Sequence, residues 1–148
     1  MKKVYKKFEI KNILKINDPF LMIDKIKVIQ QNKIAEGEKK IKKNEWFFKS
    51  HFFNNDPVMP GTLLTEAMLQ TTIVNLYKKN KKIKKYFIVK CESNYFFKIS
   101  KPCTLKITSK IISNRKGIII AQNSVSLKDK IVSNGKFKYI DPTTFNLN

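Results

Sequence analysis

The chain has 148 residues, and its 31 lysine and arginine residues outnumber 11 aspartate and glutamate residues, which gives a formal net charge of +20. Hydrophobic residues make up 42% of the chain and aromatic residues 11%, so the charge does not indicate disorder, and the length predicts one domain over residues 1–148. No apolar run approaches the length of about 18 residues that a membrane-spanning helix needs. No apolar stretch follows the basic N-terminus either, so we expect no membrane insertion, no cleaved secretion signal and a cytoplasmic location.

The composition also disfavours a disulfide framework, a metal site and sequence-specific DNA reading. Cys91 and Cys103 are the only cysteines and form no CxxC pair, and we expect both to be reduced. His51 is the only histidine, so the ligands of a zinc site are missing. Arg115 is the only arginine, although arginine is the residue that nucleic-acid readers favour. The lysine excess is what an AT-rich genome produces, but its field also attracts acidic partners.

The first part of the chain predicts a short helix followed by two strands. Val4–Leu14 reads as a short amphipathic helix, and Pro19 disfavours helix at Asp18. Phe20–Ile29 is rich in branched apolar residues and predicts a strand. After a turn, the more polar Ile34–Ile41 predicts a strand at the edge of the sheet.

The middle of the chain predicts a loop followed by the one long helix. Asn54–Gly61 contains two prolines, a glycine and an Asx cluster, which are turn formers. Thr62–Tyr77 carries apolar residues on nearly all sides, which is typical of a buried helix and predicts one over about residues 62–78. The lysines that follow it suit the negative end of the helix dipole.

The rest of the chain predicts strands only, separated by the short turns Asn114–Gly117 and Lys128–Asp129. The predicted strands are Tyr86–Glu92, Thr104–Ile112, Ile118–Leu127 and Ile131–Ile140. Short connections require antiparallel pairing. The sequence therefore predicts an α+β fold in which an antiparallel sheet of five or six strands curves around one buried central helix.

Three polar features interrupt this apolar pattern. Glu66 and Gln70 lie four residues apart and so share one face of the predicted helix, where a carboxylate needs a partner or a function. His51 lies among aromatic residues, and Gly61 follows a proline at the start of the helix, where a bare N–H suits a developing negative charge. Each feature alone also has an ordinary reading: a rim carboxylate, a core histidine and a common helix entry.

Taken together, these residues form a recognisable block. HFFNNDPVMPGTLLTEAMLQ, His51–Gln70, resembles the signature G-H-F-P-x-x-P-x-x-P-G-x-x-x-x-E-A-x-x-Q of the (3R)-hydroxyacyl-[acyl carrier protein] dehydratases of the FabZ/FabA type. Asp18–Lys25, Glu45–Phe48 and Phe97-Lys98 are similar to further parts of that family. The resemblance implies the hotdog fold, which agrees with the architecture predicted from the pattern of strands and helix.

The chain departs from the family pattern at several positions. Ser50 replaces a glycine, Phe53 replaces a proline, and Ile16–Asp18 stands where H-R-Y is expected. The segment between His51 and Glu66 is one residue longer, and we expect the extra residue to be absorbed within Asn54–Asp56.

The resemblance also implies a mechanism. His51 would remove a proton from the carbon next to the thioester carbonyl, the Gly61 N–H would stabilise the enolate-like oxygen, and Glu66 would protonate the departing 3-hydroxyl group. Gln70 would hold the Glu66 carboxyl or only cap a polar strip. No cofactor or metal is expected, because the acyl group arrives on the phosphopantetheine arm of acyl carrier protein.

In this family the site lies between two subunits, with the histidine from one chain and the glutamate from the other. We therefore expect a homodimer or a trimer of dimers, and an apolar acyl tunnel between subunits. The candidate tunnel residues, for which plain core packing is an equal alternative, are Phe47, Phe48, Phe52, Met59, Leu63 and Met68. The candidate lysines for docking the acidic carrier protein are Lys78, Lys79, Lys81, Lys82, Lys98 and Lys101.

Three alternative functions stay open at this point. A hotdog thioesterase has the same fold, but it does not require this His–Pro-Gly–Glu arrangement. A non-catalytic protein that binds acyl carrier protein is suggested by Ser50 and by the longer loop. A lysine-driven nucleic-acid binder would show steeply salt-dependent binding.

Overall fold

The computed structural model describes residues 2–79, 81 and 84–145. They form one seven-stranded antiparallel sheet with the order β1-β2-β3-β5-β6-β7-β4, curved around the long helix α2 in the hotdog arrangement. The strands are β1 (Lys3–Lys6), β2 (Lys25–Gln30), β3 (Ile34–Ile41), β4 (Phe87–Tyr95), β5 (Cys103–Arg115), β6 (Ile118–Leu127) and β7 (Lys130–Ile140). The helices are α1 (Lys7–Leu14) and α2 (Gly61–Leu76), with 3-10 turns at Trp46–Lys49 and Pro142–Phe145.

Helix α2 is the centre of the core, as its all-round apolar pattern predicts. Its side chains pack against β3, β5, β6 and β7 and against α1, and most of its residues are buried. The helix ends at Leu76, two residues before the predicted end, because Tyr77 is already extended with φ −67° and ψ 132°. Its last turn therefore contains no basic residue, and Lys78 and Lys79 follow beyond it.

The N-terminal segment contains the one strand that the sequence analysis missed. Val4–Leu14 was expected to be helical throughout, but its first residues belong to β1, which pairs with β2, and the helix starts only at Lys7. The strand expected over Phe20–Ile29 is shorter, because Leu21–Ile23 is buried outside any strand and β2 begins at Lys25. The later strands follow the prediction within a few residues, and β3 and β6 have the predicted bounds.

Strand β3 is internal, which corrects the expectation of an edge strand. It pairs with β2 on one side and β5 on the other. Its polar residues Glu36, Glu38 and Lys40 alternate with buried ones because one face of the sheet is turned to water. Alternation of polar and buried residues thus indicates a sheet with one face in water and does not indicate an edge strand. The edge strands of the sheet are β1 and β4.

Two simpler expectations are confirmed. Cys91 and Cys103 are both free thiols. Every strand pair is antiparallel.

Within the residues that the structure describes, no helix is both long and apolar enough to cross a membrane.

Helix α2 approaches β3 closely at Gly37. A Cβ atom built on Gly37 would lie 2.9 Å from Thr71 Oγ1 and 3.4 Å from Ile23 Cδ1. A larger residue would therefore displace the Thr71 hydroxyl, which donates to the Ala67 carbonyl at 2.8 Å, or separate the helix from the sheet. The small size of Gly37 thus suits the close packing of the two layers.

We expect Gly37→Ala to lower the free energy of unfolding by about 1–3 kcal/mol, although alanine normally stabilises a strand relative to glycine. Chemical denaturation measures the change. Because the overlap is mainly with Thr71 Oγ1, the double variant Gly37→Ala/Thr71→Ala should lose less stability than the sum of the two single variants. Equal stability of Gly37→Ala and the unsubstituted protein would contradict the close approach.

Candidate active site

His51 lies at the end of the 3-10 turn that precedes α2, and its imidazole is held in one orientation. The backbone N–H of His51 donates to the Phe47 carbonyl at 2.9 Å, and Nδ1 lies 2.8 Å from the Val58 carbonyl oxygen. A carbonyl oxygen can only accept, so Nδ1 carries the hydrogen in this contact. A neutral His51 therefore presents Nε2 as an unprotonated acceptor, as a general base requires.

The loop between His51 and α2 accommodates the departures from the family pattern. Ser50 has a φ of −126°, which does not require glycine, and its hydroxyl donates to the Trp46 carbonyl at 3.1 Å. Phe52 has a φ of 53°, and its carbonyl accepts from the N–H groups of Asn55 and Asp56, both at 3.2 Å. The loop thus forms an exposed turn around the segment that was expected to absorb the extra residue.

The far end of this loop is bonded to the segment that connects β4 to β5, next to the start of α2. Met59 N donates to the Ile99 carbonyl at 2.8 Å, and α2 begins two residues later at Gly61. Among the described residues, the Gly61 N–H has no acceptor, so it points from the positive end of the helix dipole without a partner. This is the kind of donor that binds a developing oxyanion.

Glu66 is half-buried on α2, and Gln70 holds its carboxyl group. Gln70 Nε2 donates to Glu66 Oε1 at 2.8 Å and to the Phe20 carbonyl at 2.9 Å, while Gln70 Oε1 accepts from Met22 N at 2.8 Å. Burial raises the pKa of Glu66, and the hydrogen bond from Gln70 offsets part of that rise. The site therefore favours the protonated acid form of Glu66 more than water does.

His51 and Gly61 line one groove, but Glu66 does not. The groove has a volume of about 400 Å³, and its walls also contain Met59, Tyr95 and Lys98. One chain thus places the candidate base beside the candidate oxyanion donor. The candidate acid lies on the same helix as Gly61 and outside the groove wall.

Comparison with known protein families identifies the family of this chain. The sequence model of the FabA-like domain matches residues 15–136, which includes His51, Gly61 and Glu66. The chain belongs to the FabA-like family. Two relatives named 3-hydroxyacyl-[acyl-carrier-protein] dehydratase FabZ are similar over most of their length. The protein from Caldicellulosiruptor bescii is 34% identical over 123 residues, 82% of this chain and 87% of that protein.

The second FabZ relative, from Acetivibrio thermocellus, is 34% identical over 133 residues, 88% of this chain and 90% of that protein. Among solved structures, the dehydratase heterocomplex ApeI:P from Xenorhabdus doucetiae superposes with a TM-score of 0.70 over 90% of each chain. Its sequence identity is 12%, so this likeness concerns the fold alone.

The candidate tunnel residues of this FabA-like chain occupy different environments. Met59 lines the groove beside His51. Phe47, Leu63 and Met68 are buried within the hydrophobic core, and Phe48 packs against it. Phe52, in contrast, is 64% exposed, and its ring lies against the His51 ring with the centroids 4.2 Å apart and the planes tilted by 32°.

The candidate docking lysines lie near opposite ends of α2. Lys98 lines the groove and forms an ion pair with Asp56, and Lys101 is exposed a few residues further on. Lys78, Lys79 and Lys81 follow the other end of the helix, and a helix of 16 residues spans roughly 24 Å. Lys82 lies outside the described residues.

Sequence reasoning missed the contribution of the end of β4 to the site. Tyr95 and Phe96 line the groove, and the Tyr95 ring lies against Gly61, where a Cβ atom would be 3.0 Å from it. The run Tyr95-Phe96-Phe97 in the sequence was a usable signal, because three consecutive aromatic residues cannot all face the core of one sheet. Strand patterning alone does not reveal which helix residue such a ring contacts.

We expect Gln70→Met to raise the pKa of Glu66 further, because the carboxylate loses the amide N–H that stabilises it. The same change should lower stability by about 1–3 kcal/mol, since the buried Met22 N–H loses its acceptor. A carbon-13 NMR titration of the Glu66 carboxyl group measures the first effect, and denaturant unfolding measures the second.

Gln31→Met is the matched control for this experiment. Gln31 Nε2 also bridges to backbone carbonyls, those of Asn75 and Tyr77 near the opposite end of α2. This variant should lose stability without changing the Glu66 titration. An unchanged or lower Glu66 pKa in Gln70→Met would show that the hydrogen bond does not stabilise the carboxylate.

Proposed function

We propose that this chain dehydrates a (3R)-hydroxyacyl thioester, carried on acyl carrier protein, to the trans-2-enoyl thioester in fatty acid or related lipid biosynthesis. Membership of the FabA-like family and the FabZ relatives support this reaction class. The observation that carries the proposal is that His51 and Gly61 line one groove, and that the Gly61 N–H has no acceptor among the described residues. The groove thus offers a base and an oxyanion donor.

The first half of the proposed reaction uses this groove. His51 Nε2 takes the proton from the carbon next to the thioester carbonyl, while the hydrogen bond from Nδ1 to Val58 stabilises the imidazolium that forms. The electron pair left on that carbon delocalises onto the carbonyl oxygen. The Gly61 N–H, with the positive end of the α2 dipole behind it, stabilises the resulting negative charge.

The second half needs an acid. Glu66, whose pKa is raised by burial, donates its proton to the 3-hydroxyl group as the bond from the third carbon to oxygen breaks. The electron pair forms the double bond between the second and third carbons, and water leaves. Glu66 is then a carboxylate and His51 an imidazolium, and proton transfer through solvent restores both.

The homodimer is part of the proposal, because one chain does not place Glu66 in the groove of His51. Strand β4 is an edge of the sheet, and its residues Phe87, Ile88 and Val89 are 45–49% exposed. Such an apolar edge needs a cover, and a second copy pairing along β4 would supply it. We propose that His51 of one subunit then works with Glu66 of the other.

The carrier-protein partner follows from the charge. Acyl carrier proteins are acidic, so the net charge of +20 would speed their encounter with this chain. Among the candidate lysines of the described residues, Lys98 has the strongest support for docking, since it lies on the groove of His51. The other candidates do not line this groove: Lys101, Lys78, Lys79 and Lys81. A cytoplasmic location is the setting in which such a carrier is met.

We expect His51→Ala and Glu66→Gln each to lower kcat/KM for hydration of crotonyl thioester by about 10²–10⁴-fold, the range of general acid–base contributions. Ultraviolet absorbance of the enoyl thioester follows the reaction. Asn55→Ala, an exposed change in the same loop, is the matched control and should retain full activity.

The same samples separate the alternative activities. Release of free thiol is measured in parallel, because a thioesterase would hydrolyse the substrate without hydrating it. Thiol release without hydration would refute the dehydratase proposal. Equal hydration by His51→Ala and the unsubstituted protein would refute the proposed base.

Mixing the two inactive variants tests the shared site. If His51 and Glu66 act across the interface, a heterodimer of His51→Ala and Glu66→Gln contains one intact site and one doubly defective site. Random exchange of subunits should therefore restore about a quarter of the wild-type specific activity. No recovery, with subunit exchange demonstrated by mass spectrometry of differently tagged chains, would show that both groups act within one chain.

A further inference from the structure

Tyr95, the last residue of β4, occupies the space beside the proposed reaction centre. Its ring carbons lie 3.0–3.2 Å from the position of a Cβ atom built on Gly61, so the ring rests on the first turn of α2. The same ring lines the groove that contains His51. Tyr95 therefore touches the space that a reacting acyl group would enter.

The Tyr95 ring is held at its other end as well. Its hydroxyl lies 2.7 Å from Thr65 Oγ1, and Thr65 Oγ1 donates to Ser93 Oγ at 3.0 Å. Ser93 and Tyr95 are two residues apart and so share the face of β4 that is turned to α2. Gly61 and Thr65 are four residues apart, so the ring spans about one helical turn along α2.

The path of the acyl chain follows from the residues along the groove. The thioester must lead out to the carrier protein, past the exposed Lys98. The remaining acyl carbons then run along α2 from Gly61 towards Thr65, and the Tyr95 ring, which is 48% exposed in one chain, covers this stretch of the helix. The Thr65 hydroxyl bonds to the hydroxyls of both Tyr95 and Ser93, so the feature that an acyl chain meets is the bulk of the Tyr95 ring.

We infer that Tyr95 sets the upper length of the acyl group and restricts this protein to short-chain 3-hydroxyacyl thioesters. This inference rests on the proposed dehydratase function. Each methylene that finds an apolar place improves binding by about fourfold. In the unsubstituted protein, methylenes that would have to pass the Tyr95 ring do not improve binding. Once the ring is removed, each of them should improve binding by about fourfold.

The experiment compares Tyr95→Ala with Tyr95→Phe. The alanine variant removes the ring, whereas the phenylalanine variant keeps it and loses only the hydroxyl. The substrates are 3-hydroxybutanoyl and 3-hydroxydecanoyl thioesters of pantetheine. The measured quantity is the ratio of kcat/KM for the long substrate to that for the short one, and a thermal melt checks that each variant is folded.

We expect Tyr95→Ala to raise this ratio by at least about tenfold, which corresponds to two methylenes newly accommodated, and Tyr95→Phe to leave it within about threefold of the unsubstituted protein. An unchanged ratio in a folded, active Tyr95→Ala would overturn the inference. A rise of the same size in Tyr95→Phe would also overturn it, because the hydroxyl and not the ring would then select the chain.

A binding measurement separates this inference from the proposed function. Calorimetry with saturated butanoyl and decanoyl pantetheine thioesters gives the ratio of dissociation constants without any turnover. If no variant and no wild-type sample turns over a substrate but the ratio moves with the ring, the proposed reaction fails and the role of Tyr95 in chain length stands. If turnover is present and neither ratio moves, only the role of Tyr95 fails.

Discussion

Helix α2 is buried along most of its surface, and its burial against the concave face of the sheet is the constraint on which the rest of the structure depends. The sheet curves around it, and β3 presents the small residues Ala35 and Gly37 to let it approach. Once α2 is fixed, its first turn is fixed too, because Met59 anchors the preceding loop to Ile99. The proposed chemistry therefore uses the first turn of the buried central helix.

Glu66 differs in its environment from the paired threonines of α2. The hydroxyls of Thr71 and Thr72 donate hydrogen bonds to the carbonyls of Ala67 and Met68. The side-chain amide of Asn123 in β6 also donates to the Met68 carbonyl, at 2.7 Å. Such pairing makes buried polar groups tolerable. Among the described residues, the Glu66 carboxyl accepts one hydrogen bond, from Gln70, which offsets only part of the rise in its pKa that burial causes. Partial burial thus favours the protonated form of Glu66 that an acid catalyst needs.

Strand β4 contributes both to the proposed dimer interface and to the proposed selection of acyl chain length. It is an edge of the sheet, its first residues expose apolar side chains, and its last residue, Tyr95, lies on the start of α2. A second copy that covers this edge would also enclose the groove, so that assembly and exclusion of water from the site would be one event. The acyl chain would then lie between a wall fixed by α2 and a wall that forms on pairing.

The sequence by itself determined the α+β class, the central helix to within two residues, the antiparallel sense of strand pairing, and the block that contains His51, Gly61, Glu66 and Gln70. These follow from local signals: periodicity, turn residues and spacing along one helix. It did not determine that the first residues are a strand or that β3 is internal, because neighbours in a sheet come from distant parts of the chain. Only the tertiary structure decided that Gln70 bonds to Glu66 and Met22, that Nδ1 of His51 contacts Val58, and that Tyr95 lies across Gly61. Those contacts depend on how two elements pack against each other. The spacing of residues within one element does not predict that packing.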